Sequence, residues 1–290
     1  MQLFEKNIRS LQGKKGQQWL ADLPRMVGQI EKAYGLSGLK PVKNLSYNYV
    51  LSGFRDERPV VLKLGIDNEA LKREAAALRA FMGFGAVTVL AESDGMLLLQ
   101  RAVPGESLKS YFPQRDNEAV SITCQGLKRL HQTPIPKSKA FPHIQDWLMI
   151  LNQDWSIPEN YLQTARALRD RLLQTSTKDV LLHGDLHHDN ILRNGNDWLV
   201  IDPKGVIGEA AYEVAAFIRN PIPDLLAVDT AENIIHHRIG LFATNLGVEQ
   251  QRILDWCFVQ SVLSWCWAIE DGLDTDATYQ RFIRYIDPAI

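Results

Sequence analysis

The chain has 290 residues and a mass of 32.8 kDa, which at about 150 residues per domain suggests two domains or one large one. Apolar residues make up 46% and charged residues 23%, which excludes a disordered, collagenous or fibrous chain. Lys plus Arg is 32 against 34 Asp plus Glu, a net charge of -2, so the basic excess of a general nucleic-acid binder is absent, although a local patch stays open. Cys124, Cys257 and Cys266 are odd in number and form no CxxC pair. Neither a disulfide framework nor a zinc cluster is indicated, and a reducing compartment is the simplest expectation.

The opening segment lacks the apolar core of a secretory signal. The longest apolar stretch, Ile253 to Ile269, is interrupted by Asp255, Gln260, Ser261 and Ser264. It is shorter than the ~20 residues a membrane span needs, so it reads as a buried helix. A cytoplasmic location without a membrane partner is expected. Residues 16–34 carry Trp19, Leu20, Leu23, Val27, Ile30 and Tyr34 at helical spacing, and Gly35 and Gly38 mark its end. LSYNYVLSG and PVVLKLG, within 40–66, are short, β-branched and aromatic runs bounded by Gly and Pro, which predicts strands. Residues 68–82 return to helix. Two further strands are predicted within 87–103, around Ser93-Asp94-Gly95. From Val120 onward helical patterns dominate, apart from 180–202. The shift near 100–106, where VPGES has the composition of a linker, is the expected domain boundary.

The stretch VLLHGDLHHDNILRNGNDWLVIDPKG, residues 180–205, is the richest in chemistry. Asn194-Gly195 between the apolar runs Ile191-Leu192 and Trp198–Ile201 predicts a hairpin, with a three- or four-residue loop near Gly195-Asn196. Asn190 just before the first strand and Asp202 just after the second then meet at its open end, with Asp185 on the loop leading there. Two carboxylates and an amide oxygen are hard ligands suited to Mg²⁺, which also binds phosphate. The spacing His183-x-Asp185-x-x-x-x-Asn190, with Asp202 following, reproduces the catalytic-loop pattern of protein-kinase-like enzymes. In that chemistry Asp185 is the catalytic base, and Asn190 and Asp202 hold the metal.

Such a reading demands a strand lysine, a helix glutamate and a hinge upstream. Lys63 lies in the apolar run PVVLKL, although a lysine there is also what an exposed edge strand often carries. On the following helix Leu71, Ala75, Leu78 and Met82 form the predicted inner stripe, with Glu74 on its border and Glu69 opposite. Glu74 is therefore placed to pair with Lys63 and turn it toward the ATP phosphates. Leu97–Ala102 is the hinge candidate, with Gln100 and Ala102 meeting adenine through their main chains.

These residues resemble the aminoglycoside phosphotransferases, antibiotic kinases with a protein-kinase-like fold, over roughly residues 19–270. LLHGDLHHDNIL and WLVIDPKGVIGEAAYEVA are similar to that family's catalytic and metal-binding motifs, and MLLLQRAVPGESL to its hinge. VVLKLG, IDPKGVIGE and the helical N-terminus look most like the streptomycin 6-phosphotransferase and hydroxyurea phosphotransferase branch. The resemblance implies an α+β, bilobal fold, with a small β-containing N-lobe and a mainly helical C-lobe. The lobes would span 1–99 and 106–290, joined by a hinge at 100–105, with ATP and Mg²⁺ between them. It implies a small-molecule acceptor, with streptomycin-like aminoglycosides as the first expectation, and carboxylates such as Glu270 and Asp271 facing a cationic substrate. The chain departs from protein kinases: it has no G-x-G-x-x-G loop, only Ser46-Tyr47-Asn48-Tyr49, and Gly184 and Asp202-Pro203-Lys204 replace the usual Arg and Asp-Phe-Gly. It departs from the antibiotic kinases at His188 and Asp189, where Pro and a small residue are usual before the Asn.

Other residues have plainer readings. His183 is expected to brace the loop, and His187 and His188 are adjacent, which is poor metal-ligand spacing. Asp189 reads as a solvated or acceptor-side carboxylate, and Glu209 and Glu213 as local anchors. Trp256, Trp265 and Trp267 favour the core over ligand stacking. A metabolic kinase acting on a sugar or amino alcohol would share every catalytic residue. A metal-dependent hydrolase would need a second ligand cluster, and no H-E-x-x-H or H-x-H-x-D-H motif is present. A binding module without turnover fits less well, because the full nucleotide and metal set is present.

Overall fold

A computed structural model describes residues 2–43, 45–137 and 140–287. Helix α1 (Gln2–Tyr34) is bent at Gly13, and so begins well before the predicted residue 16. It leads into β1 (Leu36–Pro41), β2 (Tyr49–Arg55) and β3 (Arg58–Leu64). Gly38 lies inside β1 beside a bulge and does not end the helix. Helix α2 (Asn68–Ala80) is capped by Asp67, whose side chain accepts from the Ala70 amide at 3.0 Å. Strands β4 (Val89–Ser93) and β5 (Met96–Gln100) complete an antiparallel sheet in the order β1-β2-β3-β5-β4.

Alternation along the central strands divides the environment in two. Val60, Leu62 and Leu64 of β3, with Met96 and Leu98 of β5, pack with Phe4, Ile8 and Leu23 of α1. Lys63, Leu97 and Leu99 point to the other face, where Leu97 and Leu99 join Leu71, Ala75 and Leu78 of α2 in the main core. The sheet thus carries Lys63 toward α2. Met82, predicted on the inner stripe of α2, is 65% exposed. The helix ends at Ala80 and the cap residue Phe81 takes the buried position instead.

Beyond β5, β6 (Pro104–Ser107) pairs with the catalytic hairpin, so the VPGES segment predicted as a linker is partly strand. Helices α3 (Asp116–Leu130), α4 (Ile144–Leu148) and α5 (Glu159–Thr175) follow. Next come β7 (Asp179–Leu182), the hairpin β8 (Ile191–Asn194) and β9 (Asp197–Val200), and β10 (Val206–Glu209), which pairs with β7. The hairpin turn is the two residues Gly195-Asn196, tighter than predicted. Helices α6 (Val214–Arg219), α7 (Asp224–Ala227), α8 (Ala231–Leu246), α9 (Gln250–Glu270) and α10 (Asp276–Ile286) build the rest of the helical part.

Helix α9 contains the whole Ile253–Ile269 stretch and is buried on nearly every side, as a helix at the centre of a bundle must be. Trp256 and Trp265 are fully buried in it. Among the described residues no helix is long and apolar enough to cross a membrane. The three cysteines are free and buried. The architecture is α+β and bilobal, a sheet-bearing part followed by a mainly helical part.

Candidate active site

The hairpin delivers its residues as its register dictates. Ile191 pairs with Val200, and the Ile201 amide donates to the Asn190 carbonyl at 3.0 Å, so Asn190 and Asp202 flank the open end. The loop between β7 and β8 is held from below. Glu213, 1% exposed, accepts from the His183 amide at 2.6 Å and the Gly184 amide at 2.9 Å. The buried His183 ring bonds the Ile201 carbonyl through Nε2 at 2.8 Å, and its Nδ1 accepts from the Asp185 amide at 3.2 Å. Burial holds that imidazole below its ordinary pKa, against the pull of Glu213, so it stays neutral and keeps one acceptor nitrogen. Gly184 has φ +85°, and a Cβ there would lie 2.9 Å from Trp147. The arginine that protein kinases carry at this position has no room here.

Opposite the hairpin, Lys63 Nζ lies 2.6 Å from Glu74 and 2.6 Å from Asp202. Glu74, not Glu69, meets the lysine. Burial opposes the Lys63 charge, but the carboxylates of Asp202 and Glu74 outweigh it and raise its pKa. Burial pushes Glu74 up, and Lys63 offsets only part of that. Burial also acts to raise Asp202, yet Lys63 and Lys204 hold its carboxyl well below the usual carboxylate range. Asp202 adopts φ +59°, a left-handed conformation a non-glycine residue holds only where the surroundings enforce it. Lys204 Nζ bonds Asp202 at 2.8 Å and stands 4.0 Å from Asp185. Lys204 is a site residue that sequence reasoning missed.

A cleft of about 630 Å³ joins these groups to the helical part. Glu74, Asp185, Asp202 and Lys204 line it, and so do Glu270 and Asp271 at the end of α9. Tyr47, in the turn before β2, reaches across to Asp271 at 3.4 Å. Trp267, expected in the core, is only partly buried and lines the cleft against Trp147. Arg219, Gln260, Ser264 and Tyr279 also line it, and their isolated positions gave no spacing signal. Asn190 is buried and not among the residues that line the cleft; its Nδ2 donates to the Asp185 carbonyl at 2.8 Å, leaving Oδ1 as its acceptor. Asp189 is not among the lining residues, and accepts from Ser107 Oγ at 3.0 Å, which gives it a loop-holding bond.

Gln100 and Ala102 lie at and just beyond the end of β5. The Gln100 amide donates to the Thr88 carbonyl at 2.8 Å and is thereby occupied. His187 caps its own turn by accepting from the Asp189 amide at 3.3 Å. His188 is fully buried and stacked on Phe217 at 3.8 Å. Behind it, Arg238 donates to both oxygens of Asp116, at 2.9 and 2.6 Å, and to the carbonyls of Phe217, Ile218 and Asn220. Glu209 pairs with Arg252 as expected of a local anchor. The donor set of Asn190 Oδ1 and the Asp202 carboxylate is all hard oxygen, which fits Mg²⁺. Among the described residues no group of three or more His, Cys, Asp and Glu side chains is gathered as a metal cluster.

A strand lysine paired to a helix glutamate, facing a catalytic hairpin across a cleft between a sheet and a helical part, defines a kinase of the protein-kinase-like class. The family model for aminoglycoside/hydroxyurea antibiotic resistance kinases matches residues 40–272, and the chain belongs to that family. It is similar to streptomycin 3''-kinase of Klebsiella pneumoniae, with 32% identity over 78% of this chain and 85% of that one. Streptomycin 6-kinase of Streptomyces griseus is 26% identical over 92% and 90%. Among solved structures, a ternary complex of a thermostable mutant of aminoglycoside phosphotransferase APH(4)-Ia with ADP and hygromycin B shares the fold. Its TM-score is 0.67, with 14% identity over 89% of this chain and 97% of that one. The chain is a small-molecule phosphotransferase.

Proposed function

We propose that the enzyme transfers the γ-phosphoryl group of ATP, with Mg²⁺, to a hydroxyl of an aminoglycoside such as streptomycin, in the cytoplasm. The observation that carries this is one cleft lined by Asp185 and by Glu74 and Asp202, the two partners of the buried Lys63, and lined also by Glu270 and Asp271. Residues 1–99 would cover the nucleotide, 100–105 form the hinge, and 106–290 carry the catalytic and acceptor sites. The Gln100 amide is engaged with Thr88, so adenine would meet the Gln100 carbonyl and the Ala102 amide.

Lys63, steered by Glu74, binds the α- and β-phosphates. Asp185 accepts the proton of the acceptor hydroxyl as that oxygen attacks the γ-phosphorus and the bond to the β-phosphate oxygen breaks, releasing ADP. Asn190 and Asp202 would hold Mg²⁺, which when bound neutralises phosphate charge. Both lysines now on Asp202 must turn toward the phosphates for its oxygens to serve as ligands. Positioning and charge neutralisation supply most of the rate in this chemistry, so few residues suffice. Glu270 and Asp271 draw a cationic acceptor to the cleft mouth.

ATP turnover with Mg²⁺ against streptomycin, other aminoglycosides, hydroxyurea, sugars and amino alcohols tests this. Streptomycin-dependent ADP release that disappears in Asp185→Asn is the expected result. Turnover with a sugar or amino alcohol alone would refute the antibiotic acceptor.

A further inference from the structure

Among the described residues two arginines of the helical part are buried, Arg219 and Arg238, and they differ in one respect. Arg238 is saturated by Asp116 and three carbonyls. Arg219, at the end of α6 and 9% exposed, makes a single side-chain hydrogen bond, from Nη1 to Gln260 Oε1 at 3.3 Å. Among the described residues no carboxylate lies within 4.0 Å of it. A guanidinium has five N–H donors in a fixed fork, and burying one without a partner is costly. None of its nitrogens is sealed off from solvent without a bond, and Arg219 lines the cleft beside Gln260 and Ser264. Its unused donors therefore open onto the cleft.

This placement does not suit a simple polycation, which would meet a positive charge inside the site. It suits a ligand that presents paired oxygens. The neighbours Gln260 and Ser264 are neutral hydrogen-bonding groups, the nucleotide phosphates fall to Lys63 and Mg²⁺ in the reading above, and the acidic Glu270 and Asp271 of the same cleft disfavour an anionic acceptor. We propose that Arg219, with Gln260 and Ser264, binds a vicinal pair of hydroxyl oxygens on the acceptor. The acceptor is then a polyol ring whose hydroxyl edge faces Arg219 and whose cationic groups face Glu270 and Asp271. This deepens the phosphotransferase reading and rests on it. Arg219 becomes a specificity residue that rejects hydroxyl-free cations, while the fork matches two adjacent oxygens at once.

The test uses the full-length enzyme with AMP-PNP and Mg²⁺ bound, titrated by calorimetry with streptomycin, with myo-inositol, and with spermidine as a cation lacking hydroxyls. Arg219→Met is expected to weaken streptomycin and inositol about 10- to 100-fold. Arg219→Lys should recover part of that, spermidine should bind more tightly to Arg219→Met once the repelling charge is gone, and AMP-PNP should be unaffected. The melting temperature of the empty protein should not fall in Arg219→Met, because the unused donors face the open cleft and not a protein partner. Glu270→Gln should weaken streptomycin and spermidine but not inositol.

Equal streptomycin and inositol affinities in wild type and Arg219→Met would overturn the inference. So would an equal loss for spermidine, a fall in melting temperature without a change in affinity, or a wild type that holds AMP-PNP but neither polyol. A wild type that fails to bind AMP-PNP would instead sink the phosphotransferase reading itself.

Discussion

Glu213 offers the sharpest test of how the catalytic loop is held. Its carboxylate accepts from two consecutive amides, at 2.6 and 2.9 Å, immediately before Asp185. Hydrogen bonds to a charged acceptor are worth about 1.5–3 kcal/mol each, so two sum to about 3–6 kcal/mol. Removing the buried carboxylate also relieves its own desolvation cost, which leaves an expected net loss of about 2–4 kcal/mol in Glu213→Ala. Glu213→Gln keeps one accepting oxygen but turns an NH₂ toward the second amide, and should lose about half as much. Urea denaturation followed by circular dichroism measures the stability. Because Gly184 directly precedes Asp185, displacement of the loop by about 1 Å should also lower kcat about 100-fold in the Gln variant. Affinity for ADP, bound largely through other elements, should hardly move. An alanine variant within about 0.5 kcal/mol of wild type, the margin expected for a neutral surface substitution, would refute the argument that these two bonds hold the loop.

Lys63→Met leaves Glu74 buried without its cation and should cost about 3–5 kcal/mol of stability. Lys63→Met/Glu74→Gln should regain much of that stability in thermal melts while remaining inactive. Arg238→Met strands Asp116 and should cost a similar ~3–5 kcal/mol, measurable by the same denaturation. Burial, reinforced by the Arg238 charge, holds His188 well below its ordinary value of 6.5. The unfolded chain therefore takes up this proton first as pH falls. The stability contribution is complete above about pH 6.5 and is lost progressively below it, by up to about 1.4 kcal/mol per pH unit. His188→Gln should flatten the loss between about pH 6.5 and 5.5 in pH-dependent melts, and an unchanged slope would refute the assignment.

The hairpin was legible because its signals are local: Asn194-Gly195 marked the chain reversal, whose turn residues are Gly195-Asn196, and the register then placed Asn190 beside Asp202. Glu74 was legible because helical periodicity distinguishes it from Glu69. Met82 falls on the wrong side because that periodicity carries past the cap, and a helical wheel has no knowledge of where the helix stops. The first turns of α1 were hidden because Gly13, Lys14 and Lys15 blur the pattern, while Phe4 and Ile8 are buried by strands distant in sequence. Asp189 read as a solvated or acceptor-side carboxylate and is exposed, while its bond to Ser107 was not legible because it depends on β6 folding back against β8. Lys204 and Arg219 are single basic residues, and only tertiary packing reveals that one sits on Asp202 and the other lacks a carboxylate.

The hairpin is stitched on its second side too. The Val87 amide donates to the Val200 carbonyl at 3.1 Å, and the Val200 amide to the Gly85 carbonyl at 2.8 Å. Gly85 to Val87 lie at the end of the turn that follows α2, the helix that carries Glu74, and Val200 stands two residues before Asp202. This seam ties the segment after α2 to the strand that leads to Asp202. Glu74 and Asp202, which Lys63 bridges, therefore ride on elements that are already bonded to each other through their main chains. The Tyr47–Asp271 contact has no such backing and joins residues 224 apart in the chain through side chains alone.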